Sequence, residues 1–186
     1  PNRFGASNIN IRGLEGNRVV IQVDGVRAPS LFTFGVGPFN TSTRNMVDLD
    51  TMKKVEVLRG PASTLYGSDA LGGVVSYITK DPLDYLDLAV APAYGAVKTL
   101  YTSSNDGWQT TATAAGGNKE LQGLVMYTYY TGHETENFGT NTATGPARTA
   151  PNPQSITENN WLAKLAFTPN ANNTLKFTFE QYKHDS

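Results

Sequence analysis

The chain of 186 residues contains no cysteine, only two histidines and a balanced set of charges. Without cysteine it forms neither disulfides nor thiolate metal sites, so cysteine usage permits any compartment. No segment reaches the roughly 18 consecutive apolar residues of a transmembrane helix. Lysine plus arginine number 15 against 16 for aspartate plus glutamate, without a basic cluster, so the charge pattern gives no support for nucleic-acid binding.

Motifs of common enzyme classes are missing as well. The sequence has no Gly-x-Ser-x-Gly elbow, no phosphate-cradling loop and no cluster of histidine with an acid or nucleophile. The segment that begins at His133 lacks the i, i+4 histidine pair of a zinc site. We therefore expect a protein that is not an enzyme and that has no metal site and no permanently bound cofactor.

The most informative pattern is VEVLRGPASTLYGSDALGGVVSYITK, residues 55–80. Val55 and Val57 alternate with a glutamate as in a half-buried strand, which the following Gly-Pro pair ends. The Ala-Ser-Thr-Leu-Tyr run favours one or two helical turns, and Gly67 suits their C-terminal cap. The Gly-Gly pair then leads into a β-branched run. The pattern predicts a strand, a short helix and a second strand.

This segment resembles the C-terminal half of the plug domain of TonB-dependent outer-membrane receptors, in which LRGP, the Ser-x-Leu-Tyr-Gly turn and the Gly-Gly pair recur. The stretch INIRGLEGNRVVIQVDGVR, residues 9–27, resembles the preceding plug strands, with Arg-Gly at a strand end and Asp24-Gly25 in a hairpin-type turn. The resemblance covers residues 8–83 in detail. It implies a mixed α/β plug, a small sheet with short helices, over residues 1–82.

The N-terminal sequence does not read as a signal peptide, because Pro1 opens directly into polar, glycine-containing sequence. We therefore expect a fragment, N-terminally incomplete within the plug, that lacks the secretion signal and the energy-coupling box of the family.

After Asp81-Pro82-Leu83 the character of the sequence changes to five alternating segments. The apolar positions expected on one face are Leu86, Leu88, Val90, Tyr94 and Ala96 in the first segment; Leu121, Gly123, Val125, Tyr127 and Tyr129 in the third; Trp161, Ala163, Leu165 and Phe167 in the fourth; and Leu175, Phe177 and Phe179 in the fifth. The second segment, residues 108–116, alternates weakly.

Such segments, near the ~9–11 residues that cross a bilayer when tilted, fit an apolar outer face and a polar lumen. Residues 83–186 are therefore predicted to be the first five antiparallel strands of a transmembrane β-barrel, so that the chain is a fragment of a plugged outer-membrane barrel. A soluble antiparallel sheet with one wet face has the same period and is the alternative. Aromatic residues expected near strand ends, where interfacial girdles lie, are Trp108, Tyr129, Tyr130, Trp161 and Phe167.

The long segment from His133 to Asn159 contrasts with short links elsewhere, so we expect it to be an extracellular loop. Its beginning, GHETENFGTN, resembles a loop of haem and haemoglobin receptors, in which a histidine could reach haem iron. The resemblance therefore makes His133 a ligand-facing candidate.

The resemblance also implies roles for charged and aromatic plug residues. In the family, arginines at the positions of Arg12 and Arg59, with nearby acids such as Glu56, form charge contacts between plug and barrel wall, a task that suits the planar guanidinium. In the family, the region that corresponds to residues 26–45 forms a plug loop that faces the substrate vestibule. Its ligand-facing candidates are Arg27, Phe32, Phe34 and Phe39. The aromatic residues could equally pin this loop to the plug core.

Taken together, the resemblance implies TonB-dependent active transport of a ferric complex, haem or a ferric siderophore, across the outer membrane of a Gram-negative bacterium into the periplasm. The implied partners are TonB, outer-membrane lipid, and the ferric ligand or a haem-carrying protein. The alternatives are a TonB-dependent receptor for another ligand, such as cobalamin or a sugar, and a soluble β-rich binding or adhesion module.

Overall fold

A computed structural model describes residues 9–30 and 47–185. The chain divides into two compact units, Pro1–Lys80 and Asp81–Ser186. Among the described residues, no helix combines the length and apolar character needed to cross a membrane.

The first unit contains a four-stranded mixed sheet with the strand order β2-β1-β4-β3. Its strands are β1 (Val19–Val23), β2 (Val26–Arg27), β3 (Met52–Arg59) and β4 (Gly73–Thr79). The pair β1 and β4 is parallel, and the other two pairs are antiparallel. Its short helices are the 3-10 turns Gly16–Arg18 and Leu49–Thr51 and the single α-helical turn α1 (Ser63–Tyr66). The predicted small sheet with short helices is thus confirmed.

The central strands β1 and β4 are buried on both faces. Val19 and Val75 pack on one side with Ile11 and Met52, and Val20 and Val74 pack on the other with two alanines. Strands covered on both sides need continuous apolar runs rather than alternation, which explains the valine-rich sequences of both strands.

The strand β3 forms where the sequence predicts it, but it is less buried than expected. Val55 and Val57 remain 46% and 51% exposed. The physical reason is its place at the edge of the sheet, where only β4 pairs with it. The predicted helix is present as the four residues of α1, and the Gly67 that follows it has a φ of 89°.

Two tight turns rely on positive φ angles. Asp24 and Gly25 have φ values of 47° and 83° between β1 and β2, as a type I′ hairpin turn requires. The predicted hairpin turn is therefore confirmed. Arg12 and Gly13 have φ values of 53° and 83°. They form the tip of a turn between two bridged residues rather than the end of a regular strand, so that prediction was wrong.

The second unit is a five-stranded antiparallel sheet in which each strand pairs with the next along the chain. Its strands are β5 (Ala93–Thr102), β6 (Gly107–Gly117), β7 (Leu121–His133), β8 (Ser155–Asn170) and β9 (Asn173–Asp185). A 3-10 turn, Pro82–Asp84, precedes them.

One face of this sheet, called here the outer face, carries exposed apolar side chains. Leu121 lies beside Phe167, which lies beside Leu175 in the next strand, and Leu165 lies beside Phe177. All five side chains are exposed. Because neighbours across a sheet share a face, the predicted apolar faces of the third, fourth and fifth segments are confirmed as one surface.

The predicted first strand is wrong in its extent and its face. Residues 86–91 do not form a regular strand: Leu86 is buried against the inner face, the opposite side of the sheet, and a bridge joins Asp87 to Ala91. Pro92 cannot donate a ladder hydrogen bond, and β5 begins at the next residue.

The face predicted for the first strand is also wrong. Tyr94 and Ala96 lie on the inner face, and Val97 lies on the outer face, because the register pairs Tyr94 and Ala96 with inner residues of β6.

The strands β7 and β8 are longer than expected, so the loop between them is residues 134–154. The greater length of β8 also places Trp161 near its middle, beside Tyr127 of β7 at a ring distance of 4.4 Å. The prediction that Trp161 lies near a strand end was therefore wrong.

Candidate functional site

The first candidate site is the corner of the first unit where β3 ends and β4 begins. Arg59, the last residue of β3, pairs with Gly73, and the Gly72 amide donates to the Arg18 carbonyl at 2.8 Å. A side chain at Gly73 would put its Cβ 2.2 Å from the Leu58 carbonyl oxygen. The glycine pair therefore lets the backbones approach closely at this corner, so that the segments that carry Arg18 and Arg59 lie next to each other.

Two of the predicted charge-contact residues have exposed side chains. Arg12 and Arg59 are exposed, and neither guanidinium has a hydrogen bond or ion pair with another described residue. Glu56 instead pairs with Lys54, Oε1 to Nζ at 2.6 Å. Glu56 and Arg59 lie three positions apart in one strand and so face opposite sides of it, and the structure does not bring them together.

Of the four ligand-facing candidates of the plug, the structure describes only Arg27. The Arg27 guanidinium forms an ion pair with Asp69, which links β2 to the loop after α1. Phe32, Phe34 and Phe39 lie outside the described residues.

The second candidate site is the loop between β7 and β8, which is anchored at its start. The His133 amide donates to the Asn105 carbonyl at 2.9 Å, and the Glu136 amide donates to the Ser104 carbonyl at 3.0 Å. These bonds attach the loop to the β5–β6 turn. Farther along, the Arg148 guanidinium donates to the carbonyls of Thr142, Ala150 and Pro151. The loop is therefore an organised segment with its own internal bonds.

A polar cleft of about 460 Å³ lies at the base of this loop. His133 is exposed at its edge, and the remaining polar side chains that line it are Asn105, Asp106, Glu134, Glu136 and Asn137. The Gln154 amide donates to the Glu134 carboxylate at 2.8 Å, and this bond lowers the pKa of Glu134 below its ordinary value. Across the described ranges, no three histidines or carboxylates come close enough to hold a metal ion. Phe138 projects fully into solvent from the same loop.

A third set of charged residues was not assigned a role in the sequence analysis. The Asp81 carboxylate lies 3.2 Å from Nζ of Lys164 in β8 and 3.5 Å from Nζ of Lys176 in β9. The Lys164 side chain is only 8% exposed. Its polar place in the alternation of β8 was visible in the sequence, but its partner 83 residues upstream was not.

The inner face of β8 and β9 carries a further polar cluster. The Glu158 carboxylate accepts from the Tyr182 hydroxyl at 3.0 Å and lies 3.0 Å from Nδ1 of His184. His184 is thus engaged by a neighbouring carboxylate, whereas the His133 imidazole has no hydrogen bond with another described side chain.

Comparisons with known proteins agree with this architecture. Residues 1–74 match the family model described as the TonB-dependent receptor plug domain. Hemoglobin-binding protein A of Haemophilus influenzae is 36% identical over 99% of this chain and 19% of its own length. Hemoglobin-haptoglobin-binding protein A of the same organism is 34% identical over 99% of this chain and 18% of its own length. The chain therefore spans about a fifth of the length of these curated relatives.

Solved structures share the fold. The Serratia marcescens hemophore receptor HasR, in complex with its hemophore HasA and heme, aligns with 96% of this chain and 26% of its own at a TM-score of 0.74 and 20% identity. The FrpB iron transporter of Neisseria meningitidis aligns with 94% of this chain and 26% of its own at a TM-score of 0.74 and 24% identity. These relatives are named as binding proteins, a receptor and a transporter, as expected for a chain that is not an enzyme. The mixed sheet of the first unit, the antiparallel meander that follows it, the plug-domain match over residues 1–74 and the likeness along nearly the whole chain relate this chain to the TonB-dependent receptors.

Proposed function

We propose that the protein containing this chain carries out TonB-dependent active transport of a ferric complex across the outer membrane of a Gram-negative bacterium into the periplasm. The observation that carries the proposal is the order of the two units, a plug-type sheet followed directly by a meander with an apolar outer face. We further propose that the first unit, which ends at Lys80, two residues before the predicted boundary, acts as the plug, and that residues 83–186 contribute the first strands of the barrel.

The outer face of the meander supports a membrane location. Phe177 is 64% exposed, and its neighbours on the same face, Leu165 and Leu175, are exposed as well. A contiguous apolar surface of this kind is unfavourable in water and is stabilised by lipid. The strands are 10 to 16 residues long, enough to cross a bilayer, which takes ~9–11 tilted residues.

The transport step requires that cargo binding favours a different plug conformation. A ferric complex held on the extracellular side would shift the conformational population of the plug, and TonB, the proposed energy-coupling partner, would drive its rearrangement. Arg12 and Arg59 support this role, because their exposed guanidinium groups are available for carboxylates of a surrounding wall.

We propose haem as the cargo, taken from a haem-carrying protein, with a ferric siderophore as the second candidate. The names of the relatives favour haem, since several are hemoglobin-binding proteins. Within this chain the candidate contact is His133, whose exposed imidazole lies at the edge of the polar cleft. A neutral imidazole can ligate haem iron. Phe138, exposed on the same loop, offers an aromatic surface for a flat ligand.

The test is haem titration of the complete receptor, followed by Soret absorbance, for the wild type, His133→Ala and His184→Ala. His184→Ala is the matched control, because His184 is the other histidine of the chain and is engaged by Glu158. We expect His133→Ala to weaken haem binding by about tenfold or more, a loss of ~1.4 kcal/mol or more, and His184→Ala to leave it unchanged.

Binding of a ferric siderophore, followed by quenching of tryptophan fluorescence, is measured on the same three proteins. Unchanged haem affinity in His133→Ala would remove that residue from the site. Failure of the wild type to bind haem, with siderophore binding retained, would assign the second cargo. Failure of the wild type to bind either ferric ligand would contradict the proposed transport of a ferric complex and favour a receptor for another ligand.

A further inference from the structure

The segment between the two sheets, residues 81–92 and called here the strap, is packed on the inner face of the second unit. Leu86 is buried against Leu124, Met126 and Leu162. The Tyr85 hydroxyl lies 3.8 Å from the sulfur of Met126. The strap therefore belongs structurally to the strand meander, although it precedes the first strand.

Charged groups hold the beginning of the strap on the second unit. Asp81 is held by Lys164 at 3.2 Å and by Lys176 at 3.5 Å. Its own amide donates to the Asp84 carboxylate at 2.7 Å, and the Asp84 amide donates to the Asp81 carbonyl at 2.9 Å. Both the side chain and the backbone of Asp81 are thus engaged within the second unit.

The ion-paired group of Asp81, Lys164 and Lys176 is called here the clamp, and the two lysines contribute differently to it. Lys164 is buried, so its charge depends strongly on a nearby carboxylate, whereas Lys176 is 61% exposed and is screened by solvent. Removing one partner of a buried ion pair is destabilising, because the remaining buried charge loses part of its compensation. Asp81 contacts both lysines and is therefore the member of the clamp whose loss has the largest expected effect.

The residue immediately before the strap is held by the first unit instead. The Lys80 amide donates to the Thr51 carbonyl at 2.9 Å, and Lys80 Nζ donates to the Asp50 carbonyl at 2.8 Å. Along the chain, attachment changes from the first unit to the second between two consecutive residues. The backbone dihedrals at Lys80 and Asp81 are the places where the units can reorient without breaking either set of bonds.

We propose that Asp81, clamped by Lys164, is a positioning residue that keeps the strap on the strand meander while the plug rearranges about the Lys80–Asp81 junction. The proposal rests on the transport function proposed above. It predicts that the strap stays in place during the transport cycle and that plug movement begins upstream of it.

Spin-label distances in the complete receptor test this directly. One label pair joins Leu83 of the strap to Lys119 of the β6–β7 turn, and the other joins Leu71 of the first unit to Lys119; all three positions are exposed. Distances are measured in intact cells before and after addition of haem. We expect the Leu83 distance to stay unchanged and the Leu71 distance to shift. A Leu83 distance that shifts together with that of Leu71 would overturn the proposal.

Variants test the clamp without reference to cargo. Asp81→Asn should broaden the Leu83–Lys119 distance distribution, whereas Asp87→Asn, the matched change at an exposed aspartate of the same strap, should leave it as in the wild type. Equal broadening in the two variants, or none in Asp81→Asn, would overturn the proposal.

A second series of variants separates the effect of Asp81 on haem uptake from its effect on stability. Asp81→Asn should reduce haem uptake several-fold while surface haem binding stays within about twofold of the wild type, a change of ~0.4 kcal/mol. Adding Lys164→Met should recover heat stability lost in Asp81→Asn, since it removes the buried ammonium group that has lost its contact with the Asp81 carboxylate. It should not restore uptake, because Asp81 no longer holds the strap. Recovery of uptake together with stability would reduce Asp81 to a structural role and overturn the proposal.

If the wild type neither binds nor takes up haem, the cargo assignment fails. The distance distributions then still test whether Asp81 holds the strap.

Discussion

At the scale of single residues, Glu134 fixes the start of the loop that follows β7. Its carboxylate accepts a hydrogen bond from the Gln154 amide at the opposite end of the loop. That bond, with smaller contributions from its own amide and from the charges of His133 and Arg148, lowers the pKa of Glu134 below its ordinary value of 4.5. A carboxylate with a depressed pKa favours the bonded loop at neutral pH and loses this contribution as the pH falls through its pKa in the folded protein.

We therefore expect the loop to loosen in acid. A spin label at the exposed position 138 in the complete receptor should show restricted motion at neutral pH and increasing mobility as the pH falls below about 4.5. The control is Glu134→Gln, which removes the titrating group and should abolish this pH dependence. The same mobility transition in the variant would show that another group is responsible.

At the scale of elements, β9 is the clearest case of a two-faced strand. Phe177 lies beside Leu165 on the outer face, and Thr178 lies beside Lys164 on the inner face. A one-residue slip in register would exchange the two sets, so the pairing with β8 determines which side chains meet lipid.

This alternation predicts opposite quenching behaviour at adjacent positions. In the complete receptor, a spin label at position 177 should be more accessible to a lipid-soluble quencher such as oxygen, and a label at position 178 to an aqueous nickel complex. Greater aqueous accessibility at position 177 would contradict the membrane assignment and favour a soluble sheet with one wet face.

At the scale of the whole molecule, the exposed arginines of the plug corner are expected to act through partners elsewhere in the complete receptor. Arg59→Ala should leave haem binding within about twofold of the wild type, a change of ~0.4 kcal/mol, and alter uptake several-fold, because a contact between plug and wall governs plug release rather than cargo contact. Binding and uptake are measured on the same cells.

Arg18→Ala is the matched control for that experiment, since Arg18 is an exposed arginine whose backbone lies at the same corner. It should resemble the wild type in both measurements. A loss of binding as large as the loss of uptake in Arg59→Ala would place Arg59 in the cargo site instead.

The sequence by itself determined the features that depend on local geometry. The Asp24-Gly25 turn follows from the positive φ that its two positions require, and the short helix before Gly67 follows from the glycine and proline residues that bound it. The faces of β7, β8 and β9 follow from a period of two, because any register that buries one set exposes the other. The family resemblance was likewise readable from residues 9–27 and 55–80, since their glycines mark corners at fixed spacing.

Only the tertiary structure decided the features that depend on distant partners. The exposure of Val55 results from the edge position of β3, and the course of residues 86–91 results from a buried pocket for Leu86 that β7 and β8 supply. The clamp on Asp81 joins residues 83 positions apart. Periodicity describes which side of a strand a residue occupies, but it carries no information about which other segment arrives to cover that side or to pair with its charge.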